Sequence, residues 1–463
     1  MGWINHLFRN GRVRTQAVLR DRIRYSRAAQ AVVGLAWLAK YLSCPGRPNG
    51  LAALAAAHRT FLPLGWSGIT RGKMASVAPG REGTSNRWRD EKIGWSSYRY
   101  KTSGDKPVMS HGLVVKPPVS ANEKGVLVVW VEYNLAALLS CSRLPRILGE
   151  YRVVYSTSWS PPDFSLSWAL SGENAGESYM IPSNRLDASW IEAIPQPVKV
   201  LPLYASHWIA DVPDFSPIPM DRRSFDLCLV ANWAPFKRHW LLFRALRRLP
   251  DELRICLIGQ PEGSFTVETA RGLAKAFGVR QEITWLNRLP AAEVRKIQAD
   301  SRAALMLSKR EGSCLAIAES LLADSPVGVM ADAHIGSKDF INESTGILLN
   351  ENTLPEDIAR LLLLAREGRF SARPWALEHI EASVSVGHLN EILRQDALSR
   401  GEDWTSDIKP FCLRSAVPVF TSPDDAAEAK SWHSAFESTH GLRFIGAAHA
   451  DPVGDAPGLS GLD

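Results

Sequence analysis

The chain has 463 residues, of which 45% are hydrophobic and 22% charged, with 54 Lys and Arg against 48 Asp and Glu. This composition is that of an ordinary globular protein, and it excludes a disordered, collagen-like or repeatedly membrane-spanning chain. At ~150 residues per domain, the length predicts two or three domains. The net charge of +6 is uneven: residues 1–60 hold ten Lys or Arg and one acid, Asp21, whereas residues 401–463 hold four bases and ten acids.

The basic amino-terminal segment contains a short apolar stretch, 28–39, which Lys40 closes. It is shorter than the ~20 residues of a membrane-spanning helix, and the segment lacks the pattern of a secretory signal. An Arg-rich segment with an apolar helix can lie on an anionic membrane, so we expect residues 1–45 to bind such a surface. A basic, partly disordered extension is an equally good interpretation. Six widely spaced cysteines favour a reduced, cytoplasmic chain, peripheral on the inner membrane face in the first interpretation.

Further along the chain, strand-like and helix-like runs predict two α/β domains. Residues 91–215 form an irregular set with apolar runs at 112–116, 126–130, 151–155 and 198–201, interrupted by a Ser-, Pro- and Gly-rich loop at 156–178. Residues 216–370 alternate regularly, with strands expected at 225–231, 254–259, 282–286, 303–308, 327–331 and 346–349. Apolar strands that alternate with helices predict a parallel, doubly wound sheet.

The expected organisation is therefore an α/β chain with two Rossmann-like domains and doubly wound parallel sheets. Its ranges are a basic extension at 1–90, the first α/β domain at 91–215, the second at 216–370, and C-terminal helices with an acidic tail of no clear pattern at 371–463.

An acidic pair lies after the strand predicted at 303–308, at the edge where open parallel sheets bind ligands. Glu311 falls in the loop, and Glu319 lies on the helix that follows. The start of that helix presents free N–H groups and a positive dipole end to an anion. Glu319 stands among apolar residues, so we expect a partly buried carboxylate that needs a partner, for which ribose hydroxyls are suitable. The alternative is a solvated helix residue and a loop charge.

A basic cluster, Lys237, Arg238 and His239, links the first strand of the 216–370 domain to its first helix. Cations at a helix N-terminus oppose the helix dipole, and a bound phosphate would make their placement favourable. Solvated loop cations are the alternative. Because both clusters follow strands of one sheet, we expect them to face the same crevice.

Residues 224–366, about a third of the chain, resemble the nucleotide-binding domain of retaining glycosyltransferases with two Rossmann-like domains (the GT-B fold). The resemblance is to the large family four, the glycosyl transferases group 1. It rests on the spacing of Glu311 and Glu319, and on further motif residues in order: Lys237, Leu257–Gly259, Gly312, Leu315 and Thr345–Gly346. The chain departs from the family where Asn232 replaces an Arg, and where Ser313 and Cys314 replace an aromatic residue and Gly.

The resemblance implies that these residues bind a nucleotide-diphosphate-sugar donor. Lys237 would hold the diphosphate, with Arg238 supplying the charge that Asn232 lacks. Glu311 would hold the donor sugar and Glu319 the ribose hydroxyls. The backbone from Gly312 through Ser313 and Cys314 to Leu315 would cradle sugar and phosphate, and the loop from Asn287 to Leu289 would lie near the base.

The implied reaction is sugar transfer to an acceptor hydroxyl with retention at the anomeric carbon, in the synthesis of a glycan, polysaccharide or glycolipid. A glycan, lipid-linked or small-molecule acceptor would bind the 91–215 domain. A donor phosphate oxygen would take the acceptor proton. The sequence has no Asp-x-Asp triplet after an apolar run, so we expect neither a metal nor another cofactor.

Two other functions stay open from the sequence. A nucleotide-sugar epimerase of the same architecture would need an acid/base pair, which the sequence does not reveal. A catalytically degenerate binding or scaffold module is the non-enzyme alternative. A nucleic-acid partner is not expected, because no nucleic-acid-binding fold accompanies the basic segment.

Overall fold

The computed structural model describes residues 2–45, 48–77, 101–104, 106–162, 166–167, 170, 178–192, 198–312, 314–414 and 417–445. By internal contacts the chain groups into two compact units. The first comprises Met1–Ser26 and Asp211–Glu381, and the second comprises Arg27–Ala210 and Ala382–Asp463. Each unit thus joins two segments that are far apart in sequence, whereas each predicted domain is one continuous range.

The amino-terminal segment is helical, with α1 (Gly2–Arg24), α2 (Arg27–Ser43), α3 (Pro48–Phe61) and α4 (Gly68–Val77). α1 belongs to the first unit and the other three helices to the second, where α2 packs on α3 around a small core of Ala57, Phe61 and Leu64. The described residues among 2–77 are thus built into the two units, which corrects the expectation of a separate basic extension. The cause is the apolar residues between the arginines, which give these helices a face to bury.

The next elements, up to residue 200, are β1 (Lys101–Ser103), β2 (Lys106–Met109), β3 (Gly112–Lys116), β4 (Gly125–Trp130), α5 (Glu132–Leu139), α6 (Leu144–Glu150), β5 (Tyr151–Ser156), β6 (Ser178–Ile181), α7 (Arg185–Glu192) and β7 (Lys199–Val200). Strands β3 to β7 form one sheet in chain order, parallel except for the antiparallel pair of β3 and β4. Strand β6 begins where the Ser-, Pro- and Gly-rich segment ends and is absent from the predicted strands.

The first unit continues with β8 (Phe225–Val230), α8 (His239–Leu246), β9 (Ile255–Gly259), α9 (Val267–Phe277), β10 (Ile283–Asn287), α10 (Ala291–Ala299), β11 (Ser301–Met306), α11 (Leu315–Leu322), β12 (Val327–Met330), β13 (Gly346–Leu349), α12 (Leu354–Arg366) and α13 (Ala372–His379). Its six strands are parallel in the order β10-β9-β8-β11-β12-β13. This order reverses between β8 and β11, as in a doubly wound sheet. The predicted α/β class is confirmed.

The last described elements are α14 (Ala382–Ser399), β14 (Phe411–Arg414), β15 (Val417–Phe420), α15 (Pro423–His440) and β16 (Arg443–Phe444). The expectation of an acidic tail without pattern is wrong for this part. Ser422 caps α15, and Asp424 and Asp425 in its first turn favour the helix dipole. Lys409 binds Asp425 at 2.9 Å. Acidic residues that read as a solvated tail are therefore helix-stabilising residues of the second unit.

Gly259, at the end of β9, leaves no room for a side chain beside the loop that follows β8. A Cβ there would lie 2.4 Å from Ala231 O and 2.9 Å from a ring carbon of Trp233. We predict that Gly259→Ala destabilises the protein by about 1–3 kcal/mol, as other overpacked sites do. Gly272→Ala is the control: it lies within helix α9 with no atom within 4 Å of the added Cβ, and helix propensity predicts a gain of about 0.5–1 kcal/mol. Thermal unfolding of both variants checks this, and equal midpoints contradict it.

Candidate active site

The predicted site residues lie on two loops that leave neighbouring strands. One loop runs from β8 to α8, and the other from β11 to α11. Strands β8 and β11 pair in parallel where the strand order reverses. Both loops therefore leave the sheet at its carboxyl edge, side by side, which is where open α/β sheets bind ligands.

Lys237 and Glu311, one from each loop, form an ion pair with 2.7 Å between Nζ and Oε1. Their side chains are only 14% and 6% exposed. Two main-chain bonds fix the acidic loop: Glu311 N donates to His334 O, and His334 N donates to Lys309 O. An ammonium has three N–H donors, so Lys237 can bind an anion that arrives beside the carboxylate.

Arg238, the next residue, points elsewhere. Its guanidinium is buried, with Nε 3.1 Å from Oδ1 of Asp21 and Nη2 2.6 Å from Oε2 of Glu351. Although burial opposes the charged form, these two carboxylates raise the pKa of Arg238 above its ordinary value. A cation that is enclosed and paired in this way is not available to a ligand, so the expectation that Arg238 binds phosphate is replaced by a structural role. Arg238 also adopts left-handed backbone angles, with φ of 57°, as the residue that precedes α8.

The start of helix α11 faces the acidic loop. Cys314 precedes the helix with φ of 40°, and no side chain among the described residues caps it. The first N–H groups, from Leu315 onward, are therefore free to bind an anion. Burial, with the Glu311 charge, raises the pKa of the Cys314 thiol to about 12, despite the proximity of Lys237, which disfavours the thiolate form. Gly312 is buried, and Ser313 lies outside the described residues.

Glu319 lies one to two turns into α11 and is half-buried. Among the residues that the structure describes, its carboxylate has no hydrogen bond or ion pair. Burial raises the pKa of Glu319, and the charge of Arg295 only partly opposes this. A carboxylate that is partly removed from water without a partner costs stability, so this position favours a ligand with hydroxyl donors.

The remaining predicted residues form the flank of the β8 loop. Asn232 makes turn contacts: its Oδ1 accepts from Ala234 N at 3.4 Å, and its Nδ2 donates to Glu262 at 3.1 Å. Asn287, exposed at the end of β10, accepts a 2.9 Å hydrogen bond from Trp233 Nε1. Leu289 is half-buried two residues later. Trp233 packs against Trp285, with ring centroids 5.9 Å apart.

Three residues of this region, Asp21, Glu351 and Trp233, are missing from the sequence-based prediction. Asp21 is buried and lies more than two hundred residues from its partner Arg238. One signal was visible: Asp21 is the single acid in a strongly basic segment. Neither Glu351 nor Trp233 carried a comparable signal.

Among the described residues, no group of three or more His, Cys, Asp or Glu side chains is placed to hold a metal ion. Of the helices that the structure describes, none combines the length and apolar character needed to cross a bilayer. Metal independence itself stays a prediction.

Comparison with known proteins gives a family for part of the chain. Residues 215–374 match the family "Glycosyl transferases group 1", which confirms the resemblance expected from the motifs. No curated protein sequence matches the chain.

The solved structures that the chain matches share little sequence with it. A TarM variant from S. aureus has 13% identity and a TM-score of 0.44 over 53% of this chain and 51% of its own. Sucrose-phosphate synthase from Thermosynechococcus elongatus has 14% identity and a TM-score of 0.44 over 59% and 74%. α,α-Trehalose 6-phosphate synthase from Burkholderia multivorans has 14% identity and a TM-score of 0.46 over 61% and 73%. The chain spans about half the length of the TarM variant.

We predict that Glu319→Gln stabilises the ligand-free protein, because it removes a half-buried charge that has no partner among the described residues. Since burial raises the pKa of Glu319, the folded state favours the protonated carboxyl, and the destabilisation by the charged form grows as pH rises through that pKa. The gain in unfolding midpoint should therefore widen from about pH 5 to about pH 8. Calorimetry at both pH values tests this, with the exposed carboxylate variant Glu367→Gln as control. A gain that is absent, or equal at both pH values, contradicts the prediction.

Proposed function

Because residues 215–374 match the glycosyl transferases group 1 family, we propose that the protein transfers a sugar from a nucleotide-diphosphate-sugar to an acceptor hydroxyl. The observation that carries the proposal is the Lys237–Glu311 pair. It places a cation and a carboxylate together beside the uncapped start of α11, at the switch point of a parallel sheet. That arrangement suits a ligand with a diphosphate at one end and hydroxyl groups at the other.

In this proposal each residue has a chemical task. Lys237 and the N–H groups from Gly312 to Leu315 bind the diphosphate, and Glu311 accepts hydrogen bonds from the sugar hydroxyls. Glu319 receives the ribose hydroxyls, which satisfy its unpaired carboxylate. The base lies near Asn287 and Leu289. Arg238 contributes indirectly, by anchoring the loop on which Lys237 lies.

The chemical step needs a departing diphosphate to be stabilised as its negative charge grows. A fixed ammonium and a helix N-terminus supply that stabilisation without reorganisation at the moment of reaction. A phosphate oxygen of the donor then takes the acceptor proton on the same face of the sugar. We propose that the anomeric configuration is retained, and that no metal ion is needed.

We predict that the protein binds nucleoside diphosphates, and that Lys237→Ala weakens this binding about tenfold or more, since a hydrogen bond to a charged group contributes about 1.5–3 kcal/mol. Lys296→Ala, an exposed lysine of the same unit, is the matched control with unchanged affinity. Titration calorimetry measures both. Incubation with a panel of nucleotide-sugars should then give transfer or hydrolysis. An isomerised donor would indicate the epimerase, and binding of no common nucleoside diphosphate would exclude both enzymes.

We further propose that the acceptor is a glycan, lipid-linked or small molecule, and that the protein works in the cytoplasm on the inner face of an anionic membrane. In this proposal the contact surface of residues 1–45 centres on α2 and extends to the helices that follow it. Large apolar side chains between 37% and 67% exposed are concentrated there: Val32, Val33, Leu35, Trp37, Leu42, Trp66 and Ile69. Residues 27–77 carry six Lys or Arg and no acid. An apolar surface with only positive charge around it suits anionic lipid.

We predict that the triple variant Val32→Gln, Leu35→Gln and Leu42→Gln releases the protein from vesicles that contain an anionic phospholipid, because it removes the apolar stripe of α2. The matched control is Leu348→Gln with Leu363→Gln, two exposed leucines of the first unit, which should leave sedimentation unchanged. Substitutions are preferable to deletion of residues 1–45, which also removes Asp21. If the wild-type chain does not sediment with anionic vesicles, the membrane proposal is wrong.

A further inference from the structure

We propose that the N-terminal helix α1 is a working part of the donor site, in which Asp21, through Arg238, positions Lys237 for the diphosphate. The inference rests on the proposed function of Lys237, and it gives Asp21 the role of a positioning residue. The N-terminal helix would thus have a role in the donor site, although the sequence pattern alone places it outside the two α/β domains.

The first step is the charge of Arg238, whose side chain is 1% exposed. A buried guanidinium requires carboxylates with good geometry. Asp21 gives it both oxygens, at 3.1 Å and 3.2 Å. Glu351, the second carboxylate, also pairs with Arg22 at 2.6 Å and with Arg244 at 3.5 Å. Asp21 is thus the bidentate partner, while Glu351 is shared among three cations.

The second step is the position of Arg238 between the two site loops. Its backbone is next to Lys237, and its Nη1 donates to Leu307 O at 3.4 Å. Leu307 directly follows β11 and precedes Glu311 by four residues. One guanidinium therefore ties the loop of Lys237 to the loop of Glu311, and Asp21 holds that guanidinium in place.

The third step is the set of contacts at the end of α1. The guanidinium of Arg24 lies 5.3 Å from the ring centre of Phe236, next to Lys237. Lys309 Nζ lies 5.6 Å from the ring centre of Tyr25. Burial raises the pKa of Tyr25, whose hydroxyl also interacts electrostatically with Arg238 and Glu311. The end of α1 thus contacts both loops, and so a displacement of the helix moves both binding groups.

The test compares two buried aspartates of the first unit. Asp226 is the second residue of β8, at the opposite edge of the sheet, where it pairs with Arg302 and Arg366. We expect Asp21→Asn to weaken nucleoside diphosphate binding about tenfold and to leave binding of the matching nucleoside unchanged. Asp226→Asn should lower the unfolding midpoint with no change in either affinity. Asp21→Glu, which keeps the charge, should restore most of the lost affinity. Titration calorimetry on the full chain measures all of them.

Wild-type diphosphate affinity in folded Asp21→Asn overturns the inference, as does an equal loss for diphosphate and nucleoside. If Asp21→Asn does not fold, Arg24→Ala takes its place, since it loosens the same loop without leaving a buried charge, and a selective loss for the diphosphate of about threefold is expected. Unchanged affinity in Arg24→Ala then overturns the inference. Failure of the proposed function gives a different result, in which Lys237→Ala has no effect or the wild-type chain binds no diphosphate.

Discussion

The burial of one positive charge organises the first unit. The guanidinium of Arg238 is enclosed at the switch point of the sheet, and a charge in that position is stable only with carboxylates around it. Asp21 and Glu351 supply these carboxylates. The first pairing attaches α1 to the loop that carries Arg238, and the second places the segment after β13, which contains Glu351, beside that loop. The same contacts stabilise the left-handed backbone of Arg238. Arg238 is paired inside the unit, and its neighbour Lys237 pairs with Glu311.

Two adjacent cations therefore have separate uses. Lys237 lies at the edge of the sheet with further N–H donors for a ligand, whereas Arg238 is buried and has a structural role. The carboxylate of Glu319 shows the opposite situation, since it is half-buried without a partner in the described structure. Arg238 is fully paired, whereas the unpaired carboxylate of Glu319 lowers the stability of the folded protein but leaves a position at which a ligand can bind.

Sequence patterns predict this unit well because its main signals are local. Apolar runs of four to seven residues that alternate with helical runs identify the strands, and the ends of those strands place Lys237, Glu311 and Glu319 at one edge. The fate of Arg238 is not local: its partner Asp21 is separated by more than two hundred residues, and composition does not distinguish a buried cation from a solvated one. Helix α15 is missing from the prediction for a different, local reason: its acidic first turn resembles a solvated tail unless Ser422 is recognised as its cap. Strand β6 is not predicted because the residues before it are rich in Ser, Pro and Gly.

The positive charge of the first 77 residues also divides into two parts once the helices are in place. The cations at the end of α1 lie in the first unit, where Arg24 contacts Phe236 on the Lys237 loop and Arg22 pairs with Glu351. Those of residues 27–77 surround exposed apolar side chains in the second unit. The most direct test of the central claim is a crystal structure with a nucleoside diphosphate bound. The account predicts diphosphate oxygens within hydrogen-bond distance of Lys237 Nζ and the first N–H groups of α11, with Arg238 still paired to Asp21. A diphosphate bound to Arg238, or at another edge of the sheet, would contradict it.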